Sequence, residues 1–95
     1  MSVSNTRPHA GESVTVTGHG FDPTQQYQIY FVQGLNTQPL YGPASPGPSG
    51  DFGTPSVRIP FDAEPGPAVV MGCVYVVNRG PDLGRCATVQ ISVRD

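Results

Sequence analysis

The two cysteines of the chain, Cys73 and Cys86, are the side chains with the most specific chemistry. A structural zinc site needs about four Cys, His or carboxylate ligands, and the two histidines, His9 and His19, lie in distant turn segments. A redox pair would have the spacing C-x-x-C, usually at the start of a helix, and the chain has no such spacing. The pattern therefore favours a disulfide, with free thiols as the alternative, and disfavours a metal site.

The other candidates for acid–base or metal chemistry are the histidines and the carboxylates. A catalytic constellation needs a nucleophile, a base and an orienting group close together. The candidate carboxylates instead lie near Gly or Pro, where such side chains usually hydrogen-bond their own backbone in a turn. They are Asp22, Asp51, Asp62, Glu64 and Asp82. We therefore predict no catalytic residue, no metal and no cofactor, with calcium at Asp62 and Glu64, with or without Asp22, as the alternative.

The composition describes one small domain. Of the 95 residues, 12 are Gly and 11 are Pro, and they separate short apolar runs. Such spacing is typical of short strands joined by tight turns. Only 13% of the residues are charged and the formal net charge is −2, which argues against nucleic acid as a partner. The longest apolar run, 68–77, is too short to span a membrane, so no membrane insertion is expected.

Alternation of apolar and polar residues identifies the clearest strand. In 26–32, QYQIYFV, the side chains of Tyr27, Ile29 and Phe31 point to one side and the intervening residues to the other. The segment 12–18, ESVTVTG, alternates in the same way. These segments predict strands that are buried on one face only.

The segment 51–60, DFGTPSVRIP, is predicted to be a single strand with an irregularity. Phe52 and Ile59 are an odd number of positions apart, so a regular strand cannot point both to the same face. One extra residue near 53–55 restores the parity, and the Gly and Pro there are tolerated in a β-bulge.

The rest of the chain is predicted to be a long loop and a final hairpin. The segment 34–50 is rich in Pro and predicts an ordered or mobile loop, with room for a short strand near 38–41. The segments 68–77 and 86–93 predict two paired strands, with 78–85 as the loop between them. With about seven strands and no helical periodicity, the chain is predicted to be a two-sheet antiparallel β-sandwich.

The order of the turn motifs resembles a known family. GESVTVTGHGFDP (11–23) is followed by a strand, by GDF (50–52), and by IPFDAEPG (59–66) before a valine-rich strand. This order resembles the immunoglobulin-like modules of bacterial exported and surface proteins, of the IPT/TIG type. There V-x-V-x-G-x-G-F-x-P, a strand, G-x-F and V-P-x-x-x-x-P-G follow one another. The resemblance covers nearly the whole chain and implies a single immunoglobulin-like domain over 1–95.

The chain departs from the family pattern in three places, where its individual function is expected to lie. They are the Pro-rich insertion 34–50, the extra residue after Phe52, and the final hairpin with its cysteines. The family implies no residue roles at these places, because its motifs are turns and core positions.

Alignment of Pro65 and Gly66 with the family's corner implies which side chains of 68–77 face the core. The inward residues are Ala68, Val70, Gly72, Val74 and Val76; in the last strand they are Ala87, Val89, Ile91 and Val93. Cys73 and Cys86 then both lie on the outer face. A hairpin centred on Pro81 would set Cys86 opposite Val76. The two cysteines can therefore lie directly opposite each other, as a disulfide requires, only if the register of the hairpin shifts.

The same alignment implies an apolar patch on the outer face. The patch consists of Tyr30, Val32, Val69, Met71 and Tyr75. Its expected area is on the order of several hundred Å², and exposed apolar patches of that area usually mark contact sites. One alternative is that the 34–50 loop covers it with Leu35, Leu40 and Tyr41. A second is that the patch contacts a protein partner: a neighbouring domain, an identical subunit or a larger assembly. A third is a cleft for an apolar small molecule.

The function expected from these features is non-catalytic. The chain is predicted to be a structural or interaction module, extracellular or on the cell surface, that spaces or docks other parts of an exported bacterial protein. One alternative is a decoration or accessory subunit on the surface of a virion or filament. Another is a module that binds carbohydrate or a small ligand through its tyrosines and its Pro-rich loop. The first residues lack the basic and apolar regions of a signal peptide. The chain is therefore expected to be part of a longer exported protein or a complete protein that reaches its site by assembly.

Overall fold

The chain is built entirely from β-strands. The computed structural model describes all 95 residues and contains nine strands and no helix, hence no helix that could cross a membrane. The strands are β1 (Ser2–Val3), β2 (Ser13–Val14), β3 (Val16–Gly18), β4 (Gln26–Gln33), β5 (Asn36–Ala44), β6 (Phe52–Gly53), β7 (Val57–Arg58), β8 (Gly66–Val76) and β9 (Gly80–Val93). The predicted all-β class is confirmed.

The strands form three antiparallel sheets, an arrangement compatible with a β-sandwich. The largest sheet has four strands in the order β5-β4-β8-β9, a second has the order β1-β3-β6, and a third is the pair β2-β7. The prediction of two sheets and about seven strands was therefore too simple. Opposite the large sheet stand two small sheets, made from strands of two or three residues.

The core lies between the large sheet and the small ones. Tyr27, Ile29 and Phe31 of β4 are all buried, as their alternation predicts, while the residues between them are only half-buried. The cluster of buried apolar residues combines side chains of both layers, namely Val14, Val16, Phe21, Tyr27, Ile29, Phe31, Val57, Ile59, Ala63, Ala68, Val70, Val74, Ile91 and Val93. Burial of such side chains is the main favourable term in folding.

The final hairpin is longer than predicted. β9 begins at Gly80, so most of the segment 78–85 predicted as a loop is strand, and Asn78 makes the turn with a φ of 69°. The register shifts between Cys73, which pairs with Cys86, and Val74, which pairs with Asp82. Three residues, 83–85, are thus extra on β9 and form a bulge. This is the register shift that direct opposition of the cysteines requires.

The segment 34–50 is not a loop through most of its length. Residues Asn36–Ala44 form β5, the edge strand that pairs with β4, with two shifts in register along the pair. Pro39 and Pro43 lie within it. The prediction of a loop was wrong because proline does not exclude an edge strand, which needs backbone donors on one side only.

The segment 51–60 is two strands rather than one bulged strand. β6 pairs with β3 and β7 pairs with β2, so the two halves belong to different sheets. Thr54 lies in the gap between them. Its amide donates to the carbonyl of Val16 at 2.8 Å, and its Oγ1 accepts from the amide of Val16 at 2.9 Å. The side chain thus replaces the backbone acceptor that a continuous strand would supply.

Replacement of Thr54 by Val should lower the free energy of unfolding by about 1–3 kcal/mol, because the buried amide of Val16 loses its acceptor. The change preserves the shape of the side chain, so packing is not the cause. The matched control is Ser4→Ala, which removes the acceptor of the Thr15 amide at an exposed site where water substitutes. Urea unfolding of both variants checks this. Equal losses would contradict the role assigned to Thr54.

Three aromatic rings close one end of the core. The ring of Phe52 stacks on that of Tyr27 with centroids 3.9 Å apart, and Phe21 meets Phe52 edge-on at 4.9 Å. Gly18 lies directly under the Phe52 ring, which occupies the space a Cβ would need. The alternation of 26–32 predicts a buried Tyr27 but not this cluster, because the proximity of the three rings depends on the pairing of β3 with β6.

Candidate functional site

The five residues of the predicted apolar patch lie on one side of the four-stranded sheet. Tyr30 pairs with Met71 and Val32 pairs with Val69 across β4 and β8. Tyr75 is four positions from Met71 along β8, and side chains an even number of positions apart in a strand share a face. All five are half-buried. The structure therefore brings the predicted patch residues together on the face directed away from the core, which we call the outer face.

The 34–50 segment does not fold over the outer face. Leu40 and Tyr41, which were expected to cover it in one of the alternatives, instead pack against the core cluster. Leu35 is fully exposed in the turn between β4 and β5. The alternative in which the 34–50 segment covers the patch is therefore wrong. The physical reason is that this segment extends the sheet sideways as β5, where its backbone forms hydrogen bonds with β4.

Outside the 83–85 bulge, the outer face carries no charged side chain along its four strands. Between the apolar residues lie polar, uncharged side chains: Gln26, Gln28, Thr37, Thr88, Gln90 and Ser92. A surface that combines tyrosine, methionine and valine with uncharged polar groups has the composition of a contact region, from which charged residues are depleted. A partner that binds this part of the outer face would therefore not have to remove any charged side chain from water.

Tyr30 is partly ordered by a hydrogen bond within the outer face. Its hydroxyl donates to Oε1 of Gln28 at 2.6 Å. Burial raises the pKa of the Tyr30 hydroxyl, and the nearby Tyr75 raises it further. The Tyr30 hydroxyl therefore stays neutral at physiological pH. The side chain presents an apolar ring with a polar tip, the form in which tyrosine is enriched at interfaces.

The two cysteines form a disulfide on the outer face, between β8 and the edge strand β9. Their Sγ atoms are 2.04 Å apart, and the residues are direct partners across β8 and β9. Cys73 is completely buried although it belongs to the outward set, with Gln28 as its partner on β4. The disulfide therefore closes the hairpin and forms part of the outer face.

A second group of polar residues lies at the end of the sheet beside the bulge. Arg85 donates through Nε to Asp82 at 2.9 Å and through Nη1 to Asp22 at 3.4 Å. The bond from Arg85 lowers the pKa of Asp82; bonds from Thr24, and then Arg85, lower the pKa of Asp22. These contacts are present at neutral pH and are lost as acid protonates the carboxyls.

A cavity of about 270 Å³ lies next to this group, between the 19–22 turn and the start of the regular part of β9. Its lining includes Phe21, Val74 and Arg85. His19 borders it and bonds Asp51 at 3.0 Å, which lowers the pKa of Asp51, but both side chains are largely exposed. The guanidinium of Arg85 is already paired with two carboxylates, so the cavity has no unpaired charge to hold an anion.

The structure contains no group of three His, Cys, Asp or Glu side chains placed to hold a metal ion. Asp62 accepts hydrogen bonds from Gln38, while Asp22 is engaged with Thr24 and Arg85 at a different part of the surface. His9 and His19 are both exposed. The candidate residues for acid–base or metal chemistry are therefore dispersed over several turns.

Comparison of the chain with protein-family models, with curated proteins and with solved structures finds no match.

Proposed function

We propose that the chain is a non-catalytic, immunoglobulin-like interaction module that contacts another protein through the outer face of its four-stranded sheet. The observation that carries the proposal is the apolar patch, whose five residues lie half-buried on the outer face, among uncharged polar side chains and beside a disulfide-closed hairpin. Exposed apolar patches on small soluble domains usually mark contact sites.

The place proposed for this module is outside the cytosol, as part of an exported bacterial protein. The disulfide supports this location, because structural disulfides persist mainly in oxidising compartments. The resemblance of the turn motifs to the IPT/TIG modules points the same way. In such a protein, a stiff domain with few charges serves to space or dock neighbouring parts.

The outer face is tested by placing a photo-crosslinking amino acid at Tyr75 in the protein as its own cell produces it. We expect covalent adducts with a protein from this position. The matched control is the same amino acid at Ser13, an exposed strand position on the opposite layer. Equal yields at the two positions, or no adduct at Tyr75, would contradict the proposal.

The substitution Tyr75→Glu should abolish that contact while changing the free energy of unfolding by less than about 1 kcal/mol, because the side chain is half-buried and outward. Introducing a carboxylate makes desolvation of the face costly. The measurements are crosslinking from Met71 in the variant and urea unfolding of the isolated domain. Loss of the fold in Tyr75→Glu would place Tyr75 in the core and refute its role in contact.

A further inference from the structure

Strand β9 is an edge of the four-stranded sheet, and only its end is covered. The amide of Ser92 donates to the carbonyl of Thr6, and that of Arg94 to the carbonyl of Pro8, each at 2.9 Å. Backbone groups along a strand point alternately to its two sides. The amides and carbonyls of the even-numbered residues before Ser92 therefore also point away from β8, but no strand pairs with them. The segment 86–90 is thus an open edge.

The inward side chains of β9 are more deeply buried at its paired end than along its open edge. Ile91 and Val93, beside the paired end, are 5% and 3% exposed. Ala87 and Val89 point to the same side of the same strand but are only half-buried. The open edge therefore combines unpaired backbone groups with apolar side chains that a further strand would cover.

The opposite edge of the sheet is protected. Pro39 and Pro43 interrupt the donors of β5, and its pairing with β4 contains two register shifts. Prolines and irregularities of this kind prevent an edge from accepting another strand. The open edge, CATVQ, contains neither a proline nor a charge. A further strand would therefore pair with β9 and not with β5.

We propose that the open edge of β9 pairs with the same edge of a second copy of this chain, antiparallel and about a two-fold axis at Thr88. In this register Thr88 faces the partner's Thr88 in a hydrogen-bonded pair, because its backbone groups point outward. Ala87 then lies opposite the partner's Val89 and buries the apolar surface left exposed in the monomer. Two four-stranded sheets become one continuous sheet.

The segment carries no charge that would oppose its pairing with an identical copy. A two-fold axis brings identical residues close together, so a charged residue near it would meet its own copy. None of the residues 86–90 is charged. Arg85, at the end of the segment, is already paired with Asp82 and Asp22 of its own chain. The segment is short, so the interface is small and we expect a weak, reversible dimer.

This inference goes beyond the proposed function, because it uses the edge of the sheet and not the apolar patch. Pairing of the two β9 edges also makes the outer faces of the two copies continuous. The two proposals fail separately: Tyr75→Glu, which lies away from the edge, is expected to leave the dimer unchanged.

The test is analytical ultracentrifugation of the oxidised chain over a wide range of concentration. We expect the average mass to rise from monomer to dimer. Thr88→Lys places two ammonium groups opposite each other at the axis and should weaken the dimer at least tenfold. The matched control is Thr37→Lys, the same change on the same face but on the protected edge strand β5, and it should leave the dimer unchanged.

A second variant separates the backbone from the side chain. Thr88→Pro removes an amide that points away from β8, so the monomer loses no ladder hydrogen bond while the dimer loses two across the axis. Circular dichroism and urea unfolding establish that each variant is folded. A chain that stays monomeric at every concentration would overturn the proposal, as would a dimer that survives both Thr88 variants or is weakened equally by Thr37→Lys.

Discussion

Replacement of Gly50 by Ala should lower the free energy of unfolding by about 2–5 kcal/mol, the sum of backbone strain and overpacking. Gly50 is buried and has a φ of 82°, in the left-handed region that residues with a Cβ rarely adopt. A Cβ at this position would overlap the backbone carbonyl oxygen of Phe21. Because the obstacle is backbone and not a flexible side chain, one of the two segments must move.

The displacement would reach the aromatic end of the core. The amide of Phe21 donates to the carbonyl of Gly50 at 3.1 Å, so the two backbones are held together. The ring of Phe21 packs edge-on against Phe52, which stacks on Tyr27. Separation of the two backbones therefore loosens this cluster as well.

The matched control is Gly20→Ala, in the neighbouring turn. Gly20 has a similar φ of 73°, but nothing lies within 4 Å of the Cβ position. This variant should therefore show the backbone strain alone, about 1–2 kcal/mol. Urea unfolding of both variants measures the difference. Equal losses would show that Phe21 moves away without cost and would contradict the close approach of these two segments.

Removal of the disulfide should lower the free energy of unfolding by about 3 kcal/mol, because the unfolded chain regains the freedom of the loop between Cys73 and Cys86. The two residues are 13 positions apart in the sequence. For a domain of this size such a loss is a large part of the total stability, which is typically about 5–15 kcal/mol.

The measurement compares urea unfolding of the oxidised chain with that of Cys73→Ala/Cys86→Ala. Alanine is preferable to serine at position 73, because the site is completely buried and a hydroxyl there would add its own desolvation cost. The single variant Cys86→Ala is the control, and it should lose nearly as much as the double variant. Intact mass before and after reduction should differ by two hydrogen atoms. Unchanged stability in the double variant would mean that the bulge and sheet hold the hairpin without the bond.

The alternation along the chain was sufficient to assign the faces of β4, where Tyr27, Ile29 and Phe31 are buried as predicted. This assignment succeeds because a strand with one buried face repeats every two residues, and that period is a local property of the sequence. Ile91 and Val93 of the last strand are inward, as the alignment with the family's corner implied. The all-β class follows from the same periodicity and from the regular spacing of Gly and Pro.

The tertiary structure decided the features that depend on distant partners. Whether 36–44 is a covering loop or an edge strand depends on hydrogen bonds to β4, which no local pattern reveals. The division of 51–60 into two strands depends on Thr54 bonding Val16, 38 positions away in the sequence. The outer face that the 34–50 segment leaves free and the open edge of β9 are likewise consequences of where other segments lie. The sequence alone therefore determined which side chains could face a core. Only the assembled sheets decided which surfaces stay free, because covering is a relation between segments far apart in the chain.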